Sequence, residues 1–373
     1  MSDWVTVSLN EIAFINPTEK LAKGTLATKI GMDNLQPFSK KVSAQIQENY
    51  NGGMKFRNGD TIVARITPCL ENGKTAYIDT LKDGEIGFGS TEYIVLRAKV
   101  GLSNSHFLYY FARSDTFRDV AIASMTGSSG RQRVQTEVVV NHTFELPTLP
   151  EQKAIASVLS SLDDKIDLLH RQNKTLEAMA ETLFRQWFIE EAKEDWEEVS
   201  LGSLFTISSG KGLKREQFRD NGLIPVLGAN GVIGRTDQVM FEEFLIYTGR
   251  VGTLGKVSIV EGQPVWLSDN TLVFRDIEYF YFTYFHLKAV NYQDYNVGST
   301  QPLIRQSDIK EIAVLLPSDL DMIKRFEFQA KDLFGKIQRN TKQIQTLEQL
   351  RDTLLPKLMS GEVRVQYQTE QVA

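Results

Sequence analysis

The sequence predicts a mixed α/β (α+β) protein in which two globular domains, in a pseudo-twofold arrangement, are separated by two long antiparallel coiled-coil helices. The first observation behind this prediction is an internal repeat. Residues 175–183 (TLEAMAETL) recur as residues 346–354 (TLEQLRDTL), and residues 3–9 (DWVTVSL) recur as residues 195–201 (DWEEVSL). The second is heptad spacing in the segment that ends each copy. Because the copies agree at their starts and tails but hardly between, we expect a shared scaffold that presents two different surfaces.

Residues 1–149 are predicted to form the first globular domain. Alternating apolar runs at residues 61–64 and 93–96, separated by Asn-Gly pairs, are typical of strands and turns. The aromatic segment at residues 105–123 follows a loop and is predicted to be a helix. This part of the chain is therefore expected to combine strands and helix in one domain.

Residues 150–192 are predicted to form the first long helix. From Ile155 to Trp187, apolar side chains recur in alternating steps of four and three residues, the spacing of positions a and d in a coiled coil. Thr148 and Glu151 have the spacing of a capping box at the start of this segment. The helix is therefore expected to begin close to residue 150.

Residues 193–316 are predicted to form the second globular domain. Strands are expected near residues 244–247, 257–260 and 271–274, and an aromatic helix is expected at residues 279–290. The order of these segments matches that of the first domain, so a second mixed α and β domain is predicted.

A second long helix is predicted for residues 317–361. Its heptad seam runs to Leu358, and Gly361 supplies a stop signal. Pro356 does not fit a regular helix interior, so a kink or an early end is expected there. Residues 362–373 are left as a C-terminal tail.

The two heptad seams most simply bury each other as an antiparallel pair, which would place the globular domains at opposite ends. Two alternatives stay open: each helix packs on its own domain, or the seams mediate homodimerisation. Asn173 and Asn340 lie on the seams and are interpreted as polar residues that set the register.

Composition limits the possible partners and the compartment. The formal net charge of −5 argues against strong binding of nucleic acid by this chain alone, although the acidic excess lies in residues 151–202 and both globular segments are nearly neutral. Weak phosphate binding is expected if the phosphate contacts are shared with another subunit. One cysteine, Cys69, and the lack of a transmembrane run or secretory signal favour a cytoplasmic protein with no membrane partner.

The sequence predicts no catalytic residue, no metal site and no cofactor. Two segments, residues 73–75 and 249–256, resemble phosphate-binding loops, but Pro68 and Arg250 occupy the positions where the first glycine should lie. The Glu-x-Lys pattern at residues 151–153, which some nucleases share, falls in the first turn of a helix. The histidines are scattered singly and form no ligand cluster: His106, His142, His170 and His286.

Basic side chains recur at equivalent positions of the two predicted domains. Arg65 and Lys74 in the first domain correspond to Arg250 and Lys256 in the second, and each pair is expected in a loop or hairpin after a strand. An arginine can bond a guanine edge with two hydrogen bonds, and a lysine can contact phosphate, so these residues are candidate DNA contacts. The alternative, that they are solvated turn residues, stays open.

A second pair of loops, residues 126–133 and 297–305, precedes the helical tails. Glycine and small hydroxyl residues in these loops allow close approach of the backbone to phosphate, while glutamine and arginine can reach base edges. The candidate DNA-binding residues here are Arg131, Gln132, Arg133, Gln301 and Arg305. Lys211 and Lys214, after residues 208–210, are weaker candidates confined to the second domain.

Residues 146–153 (LPTLPEQK), which lead into the first long helix, and residues 354–362 (LLPKLMSGE), which close the second, are similar to the specificity (S) subunit of type I restriction-modification systems. The resemblance covers the whole chain in the order recognition domain, helix, recognition domain, helix. It implies a non-catalytic subunit in which each domain reads one half of a bipartite site in double-stranded DNA. It also implies that the helices act as a spacer, that two modification (M) subunits dock on them, and that restriction (R) subunits join this core.

A rival hypothesis is a structural adaptor whose duplicated domains bind protein or carbohydrate. Protection of two short blocks of DNA separated by a gap, only when M subunits are present, would favour the DNA reader.

Overall fold

The computed structural model describes residues 3–366, and the chain divides into two compact units. Unit 1 consists of Met1–Arg171 and Asn340–Ala373, and unit 2 consists of Gln172–Arg339. Each unit contains a β-rich domain and one segment of each long helix. The predicted C-terminal tail lies outside the described residues beyond Gln366.

The domain of unit 1 is built from two four-stranded sheets and a separate strand pair. The strands are Val5–Ser8 (β1), Ala13–Ile15 (β2), Leu26–Ile30 (β3), Ile46–Asn49 (β4), Lys55–Phe56 (β5), Thr61–Ala64 (β6), Thr75–Tyr77 (β7), Gly87–Gly89 (β8), Tyr93–Ala98 (β9) and Thr143–Leu146 (β10). The sheets have the orders β2-β9-β6-β7 and β4-β3-β8-β5, and β1 pairs with β10. The α-helices that begin in this part of the chain are Leu9–Ile12 (α1), Ser105–Arg113 (α2), Asp115–Ala123 (α3), Thr136–Asn141 (α4) and the long helix Leu149–Arg185 (α5).

The single helix predicted for residues 105–123 is wrong, because the chain forms two helices that meet at Ser114. Ser114 has extended backbone angles (φ −74°, ψ 158°) and ends α2 before α3 begins. Its hydroxyl donates to the carbonyl of Phe111 at 2.7 Å, which satisfies one acceptor at the end of α2. Seven of the nine residues of α2 are buried, so the core fixes its position.

The domain of unit 2 contains a four-stranded sheet, a three-stranded sheet and another strand pair. The strands are Glu197–Ser200 (β11), Thr206–Ser209 (β12), Ile224–Gly228 (β13), Gly231–Thr236 (β14), Phe244–Gly249 (β15), Ser258–Glu261 (β16), Trp266–Leu267 (β17), Thr271–Arg275 (β18) and Ala313–Leu316 (β19). The helices are Phe280–Ala289 (α6), Gln306–Lys310 (α7) and the long helix Leu320–Ser360 (α8). The predicted strands and the aromatic helix of this domain are therefore confirmed.

The two domains repeat one strand order. The sheet β12-β18-β15-β16 corresponds to β2-β9-β6-β7, the sheet β14-β13-β17 corresponds to β4-β3-β8, and the pair β11-β19 corresponds to β1-β10. The domains differ most between the first two strands of the smaller sheet: residues 31–45 connect β3 to β4, whereas only residues 229–230 connect β13 to β14. The duplication inferred from the sequence is thus a duplication of topology, with a longer connection in the first copy.

The prediction that the two heptad seams pack against each other is confirmed within each unit. In unit 1, Ile166 and Leu169 of α5 form a cluster with Ile344 of α8. In unit 2, the rings of Phe184 of α5 and Phe326 of α8 lie 5.9 Å apart. Within unit 1, Leu159 of α5 shares a cluster with Leu355 of α8, whereas Ile166, further along α5, packs on Ile344, earlier in α8, so the helices run antiparallel.

The helix ends also pack on the domain cores, but not as in the alternative in which each helix packs on its own domain, because the end of α8 packs on the first domain. Ile155 and Leu159 of α5 belong to the same buried cluster as Leu355 and Leu358 of α8 and Phe107 of α2. The helix pair and the globular part of unit 1 thus share one core.

Arg351 is a charged residue on the second seam, and its partner in unit 1 explains its presence there. Its Nη1 donates to the Asp163 carboxylate at 2.7 Å, and both side chains are only 5% exposed. The Tyr110 hydroxyl donates to the second oxygen of Asp163 at 2.6 Å. A hydrogen-bonded carboxylate therefore compensates the buried guanidinium.

Of the two outcomes predicted at Pro356, a kink or an early end, the early end is wrong, because α8 continues to Ser360. Pro356 is exposed, while Leu355, Leu358 and Met359 are buried in the core of unit 1. Burial of these neighbours keeps the last turns helical despite the backbone hydrogen bond that proline cannot donate.

Candidate nucleic-acid interface

In unit 1 the fold brings together the two loops that were singled out from the sequence. The first connects the antiparallel strands β6 and β7, which form the expected hairpin, and the second connects α3 to α4. The backbone N–H of Val134 donates to the carbonyl of Arg65 at 2.9 Å, and that of Thr67 donates to the carbonyl of Gln132 at 3.0 Å. Side chains separated by more than 60 residues in the sequence therefore share one surface.

Unit 2 repeats this pairing of loops. The N–H of Ile304 donates to the carbonyl of Arg250 at 3.1 Å, and the N–H of Gly252 donates to the carbonyl of Pro302 at 2.9 Å. Ile304, like Val134 in unit 1, is buried and anchors the second loop on the first. The correspondence between Arg65 and Arg250 thus extends to their backbone partners.

Backbone pairing also defines how the second loops correspond. Thr126 bridges Arg133 in unit 1, whereas the N–H of Val297 donates to the carbonyl of Leu303 in unit 2, so the second copy is one residue shorter. Arg305 directly precedes α7, as Gln135 directly precedes α4. Arg305 is therefore the counterpart of Gln135 and not of Arg131 or Arg133.

Two arginines of unit 1 converge on one carboxylate. Nε of Arg65 lies 3.2 Å from Oε2 of Glu92, and Nε and Nη2 of Arg133 lie 3.0 and 2.8 Å from Oε1. Hydrogen bonds from Arg133, and then from Arg65, hold the pKa of Glu92 below its usual value, although burial opposes this shift. Glu92 is therefore ionised at neutral pH and carries a charge opposite to those of both arginines.

The remaining candidates of unit 1 differ in their exposure. Arg131 is exposed, and Gln132 is half-buried, with its carbonyl engaged by Thr67. Lys74 is half-buried and its Nζ donates to the carbonyl of Met32 at 3.0 Å, so its ammonium is held within the domain. Arg131 is thus the candidate that offers most of its side chain to a ligand.

In unit 2, Arg250 is held by hydroxyl and amide groups. Its Nη1 lies 3.3 Å from Oγ of Ser209, and that hydroxyl also accepts from Nε2 of Gln306 at 3.0 Å. Nε of Arg250 is buried and has no hydrogen-bond partner among residues 3–366. The arginine of the second domain is therefore positioned without a carboxylate partner in this network.

The other candidates of unit 2 are exposed. Nζ of Lys256 donates to the carbonyl of Asn230 at 3.2 Å, and Nζ of Lys214 lies 4.0 Å from Glu216. Lys211, Gln301 and Arg305 are also exposed. Exposed ion pairs and single bonds of this kind contribute little stability, so these side chains are available to a ligand.

Close backbone approach fixes the tip of the second loop of unit 2. A Cβ atom on Gly298 would lie 1.8 Å from the carbonyl oxygen of Gln301, far inside van der Waals contact. The N–H of Gly298 donates to Oδ1 of Asn296 at 3.0 Å, and the N–H of Leu303 donates to the same atom at 3.0 Å. The loop is therefore a compact turn that accepts only glycine at this position.

Sequence reasoning missed Glu92, Ser209 and Gln306. Glu92 directly precedes β9, and its contact with Arg65 depends on the pairing of β9 with β6, in which Tyr93 lies opposite Ala64. A signal was present, because antiparallel pairing of these two apolar runs would have placed Glu92 opposite Arg65. Nothing comparable in the sequence pointed to Ser209 or Gln306.

The catalytic alternatives receive no structural support. Gly255 and Lys256 lie between the antiparallel strands β15 and β16, whereas a phosphate-binding loop precedes a helix. Glu151 is fully buried and accepts from Nε1 of Trp4 at 2.9 Å and from Nη2 of Arg364 at 2.8 Å, so it joins parts of unit 1. Within the described part of the chain, no group of three His, Cys, Asp or Glu side chains could hold a metal ion.

Two of the histidines in the globular domains pack against aromatic side chains, and of these two only His286 is buried. His286 is buried in α6, and burial lowers its pKa to about 4. His106 stacks on Tyr77 at 4.2 Å, and burial lowers its pKa as well. Across residues 3–366, no helix is long and apolar enough to cross a membrane.

Two domains of one topology, each presenting a paired set of basic loops and joined to antiparallel helices, define a duplicated recognition protein. A family model described as "Type I restriction modification DNA specificity domain" matches residues 1–178 and 193–349, and the chain belongs to this family.

Relatives and solved structures agree with this assignment. The type I restriction enzyme MjaIX specificity subunit of Methanocaldococcus jannaschii is 29% identical over 305 residues, covering 70% of this chain and 70% of that protein. The EcoAI specificity subunit of Escherichia coli is 31% identical over 223 residues, covering 54% of this chain and 37% of that protein. The crystal structure of a type I restriction-modification S subunit from M. genitalium has the same fold, with a TM-score of 0.58, 19% identity and coverage of 99% and 97%.

Proposed function

We propose that this chain is the DNA specificity subunit of a type I restriction-modification complex and that each globular domain reads one half of a bipartite site. One observation supports the proposal most directly. In both domains, a loop carrying an arginine (Arg65 or Arg250) is bonded through its backbone to a second loop rich in glycine, hydroxyl and amide groups. Such a pair can offer a guanidinium to a base edge and backbone N–H groups to phosphate.

The residues proposed to contact DNA are those predicted from the sequence. The exposed members of this set are Arg131, Arg133, Lys211, Lys214, Lys256, Gln301 and Arg305. Arg65, Gln132, Arg133 and Arg250 line the paired loops. Lys74, held by the carbonyl of Met32, is proposed to support the hairpin more than to contact DNA.

The partners are proposed to supply the chemistry. In this proposal two M subunits dock on α5 and α8 and transfer the methyl group, R subunits cleave DNA, and the assembly works in the cytoplasm. The near neutrality of both globular segments fits a reader that shares its phosphate contacts with partner subunits. The adaptor hypothesis is not favoured, because the family and the relatives named above are DNA specificity proteins.

A domain exchange tests the proposal. Residues 197–316 run from the start of β11 to the end of β19, so replacing them with the equivalent segment of a relative keeps that strand pair together. The exchanged chain is combined with M subunits, and methylated sites are mapped on DNA of random sequence. We expect one half-site to change and the other to stay. A change in both half-sites, or in neither, contradicts independent reading by the two domains.

A further inference from the structure

The side-chain network around Glu92 has a geometry that suits a specific ligand. Both oxygens of Glu92 are engaged: Oε1 by Nε and Nη2 of Arg133, and Oε2 by Nε of Arg65 and Nε of Arg133. One carboxylate therefore sets the orientation of two guanidinium groups that come from different loops.

The backbone fixes all three members of the network. The N–H of Arg65 donates to the carbonyl of Glu92 at 3.0 Å, just beyond the paired ends of β6 and β9. Arg133 is held by bridges to Ile66 and Thr126. The three side chains are therefore placed by sheet pairing and by loop pairing, so the network is present before any ligand binds.

Glu92 bonds to only some of the nitrogens of the two guanidinium groups, and the remaining nitrogens are available to a ligand. Its bonds engage Nε of Arg65 and the Nε and Nη2 edge of Arg133, and among residues 3–366 neither Nη1 group nor Nη2 of Arg65 bonds to Glu92. The side chains of Arg65 and Arg133 are 33% and 47% exposed. The end of a guanidinium matches O6 and N7 of guanine, which accept two parallel hydrogen bonds in the major groove.

The second domain lacks this arrangement. Arg250 occupies the place of Arg65, but its N–H donates to the carbonyl of Asn270, so an amide residue stands where unit 1 has Glu92. Leu303 stands where unit 1 has Arg133. Among the described residues, the arginine pair held by one carboxylate is therefore a feature of the first domain.

We infer that Glu92 is a positioning residue for base recognition. It holds the guanidinium groups of Arg65 and Arg133 in the orientation in which they bind guanine in the half-site read by the first domain. This inference rests on the proposed function and names the base that one domain selects. The carboxylate restricts the rotamers of both arginines, and its charge reduces their attraction to phosphate of any sequence. Glu92 therefore increases the preference for guanine over other bases without contacting the base itself.

The test compares three substitutions of the full chain in complex with its M subunits. Glu92→Gln removes the charge but keeps the size of the side chain, and Glu92→Asp keeps the charge on a shorter side chain. Glu243→Gln is the matched control, because Glu243 also pairs with an arginine, Arg275, at 3.3 Å but lies in unit 2. After the methylated site of the wild type is mapped, methylation rates are measured on duplexes with the original site and with each guanine of the first half-site replaced.

The expected result is a loss of discrimination in one half-site only. Glu92→Gln should lower the preference for one guanine about tenfold, within the range that one bidentate contact supplies, and should raise methylation of duplexes that lack it. Glu92→Asp should restore part of the preference, and Glu243→Gln should leave it unchanged. Arg65→Met removes one of the two guanidinium groups and should lower the preference for guanine at the same position.

Three outcomes would overturn the inference. The first is an equal loss of rate on all duplexes with Glu92→Gln, which indicates a structural role alone. The second is a first half-site made only of A·T pairs. The third is an unchanged guanine preference in both Glu92→Gln and Arg65→Met. If the wild-type complex methylates no bipartite site at all, the proposed function itself fails, which separates the two results.

Discussion

At the scale of single residues, Glu327 gives unit 2 a carboxyl group that titrates near neutral pH. It lies on α8, and its Oε1 accepts from the N–H of Phe282 in the first turn of α6 at 2.7 Å. Burial raises the pKa of Glu327 to about 7, although hydrogen bonds from the backbone of Phe282, Tyr281 and Phe280 oppose the shift. The folded chain therefore binds a proton at a pH where the unfolded chain has already released it.

Glu327→Gln should make the stability of unit 2 less dependent on pH. Between pH 4.5 and 7 Glu327 binds more protons in the folded wild type than in the unfolded chain, so the contribution of this group to the free energy of unfolding becomes more favourable as the pH falls through this range and is least favourable above pH 7. The Tm of Glu327→Gln minus the Tm of the wild type should thus be higher at pH 8 than at pH 5.5. Tryptophan fluorescence checks this, since three of the four tryptophans lie in unit 2. A difference independent of pH would contradict the shift.

Arg351 illustrates how a buried ion pair constrains the helix pair. Replacing it with methionine keeps the apolar length of the side chain but leaves the buried Asp163 carboxylate without its guanidinium. Arg351→Met should lower the free energy of unfolding of unit 1 by about 3 kcal/mol, measured by urea unfolding.

The control for this prediction is an exposed pair on the same helix as Asp163. Nε of Arg171 lies 3.1 Å from Asp167, and its side chain is 69% exposed. Arg171→Met should change the free energy of unfolding by less than about 0.5 kcal/mol, because solvent screens such pairs. Equal effects of the two substitutions would show that the Arg351 pair has no special role.

At the scale of elements, Pro356 lowers the stability of α8 near its C-terminal end, although the helix continues past it. Because Pro356 is exposed, alanine can replace it without a cavity and can donate the missing N–H to the helix. Pro356→Ala should raise the free energy of unfolding of unit 1 by at least about 1 kcal/mol, since proline is about 3 kcal/mol less favourable than alanine in a helix interior. Urea unfolding measures the change.

Thr353→Ala provides the reference for Pro356→Ala. Thr353 is exposed one turn earlier on α8, and its replacement changes only intrinsic helix propensity, by at most about 0.7 kcal/mol. If Pro356→Ala raises the free energy of unfolding no more than Thr353→Ala does, the missing hydrogen bond at Pro356 does not destabilise α8.

The elements themselves were largely predictable from local patterns. The strands Thr61–Ala64 and Thr271–Arg275 carry apolar β-branched runs, and α5 carries a heptad seam, so their types follow from the period of the sequence. The break at Ser114 was not predictable, because the apolar residues on both sides continue a helical pattern and tertiary packing decides where the helix turns.

The candidate site was predictable in its loops but not in its contacts. Arg65, Arg250 and the glycine-rich loops carry a local signal of residue type and repetition. Glu92 and Ser209 become relevant only through strands that pair across long separations in the chain. Register between distant strands depends on the whole core, so the neighbours of an arginine in sequence do not identify its partner, and Glu92 follows only once the strand at residues 93–96 is paired with the strand at residues 61–64.

At the scale of the whole molecule, we propose that the length of the long helices sets the gap between the half-sites. Four alanines inserted after Asn173 lengthen α5 by about 6 Å and advance its phase by only about 40° beyond one turn. At about 3.4 Å per base pair, the unspecified gap should grow by one or at most roughly two base pairs, with both half-sites unchanged. Mapping of methylated sites in the complex with M subunits checks the gap.

The matched control places the same four alanines in an exposed turn. Insertion after Asp83, beside Gly84 with a φ of +71°, lengthens a surface connection of unit 1 and should leave the gap as it is. An α5 insertion that keeps the original gap at undiminished efficiency would rule out the helices as the determinant of spacing.

The division of the chain into two units also determines the order in which they can complete folding during translation. Unit 2 is continuous, so all its residues emerge before residue 340, whereas the core of unit 1 needs Leu355 and Leu358 beside Ile155 and Leu159. At about 5–20 residues per second, the ribosome needs roughly 10–40 s to reach these leucines after it passes Gln172, where unit 2 begins. During that interval the nascent first domain exposes the apolar face that α8 later covers. The domain synthesised first is therefore the one completed last, and it is the one expected to depend on chaperones during translation.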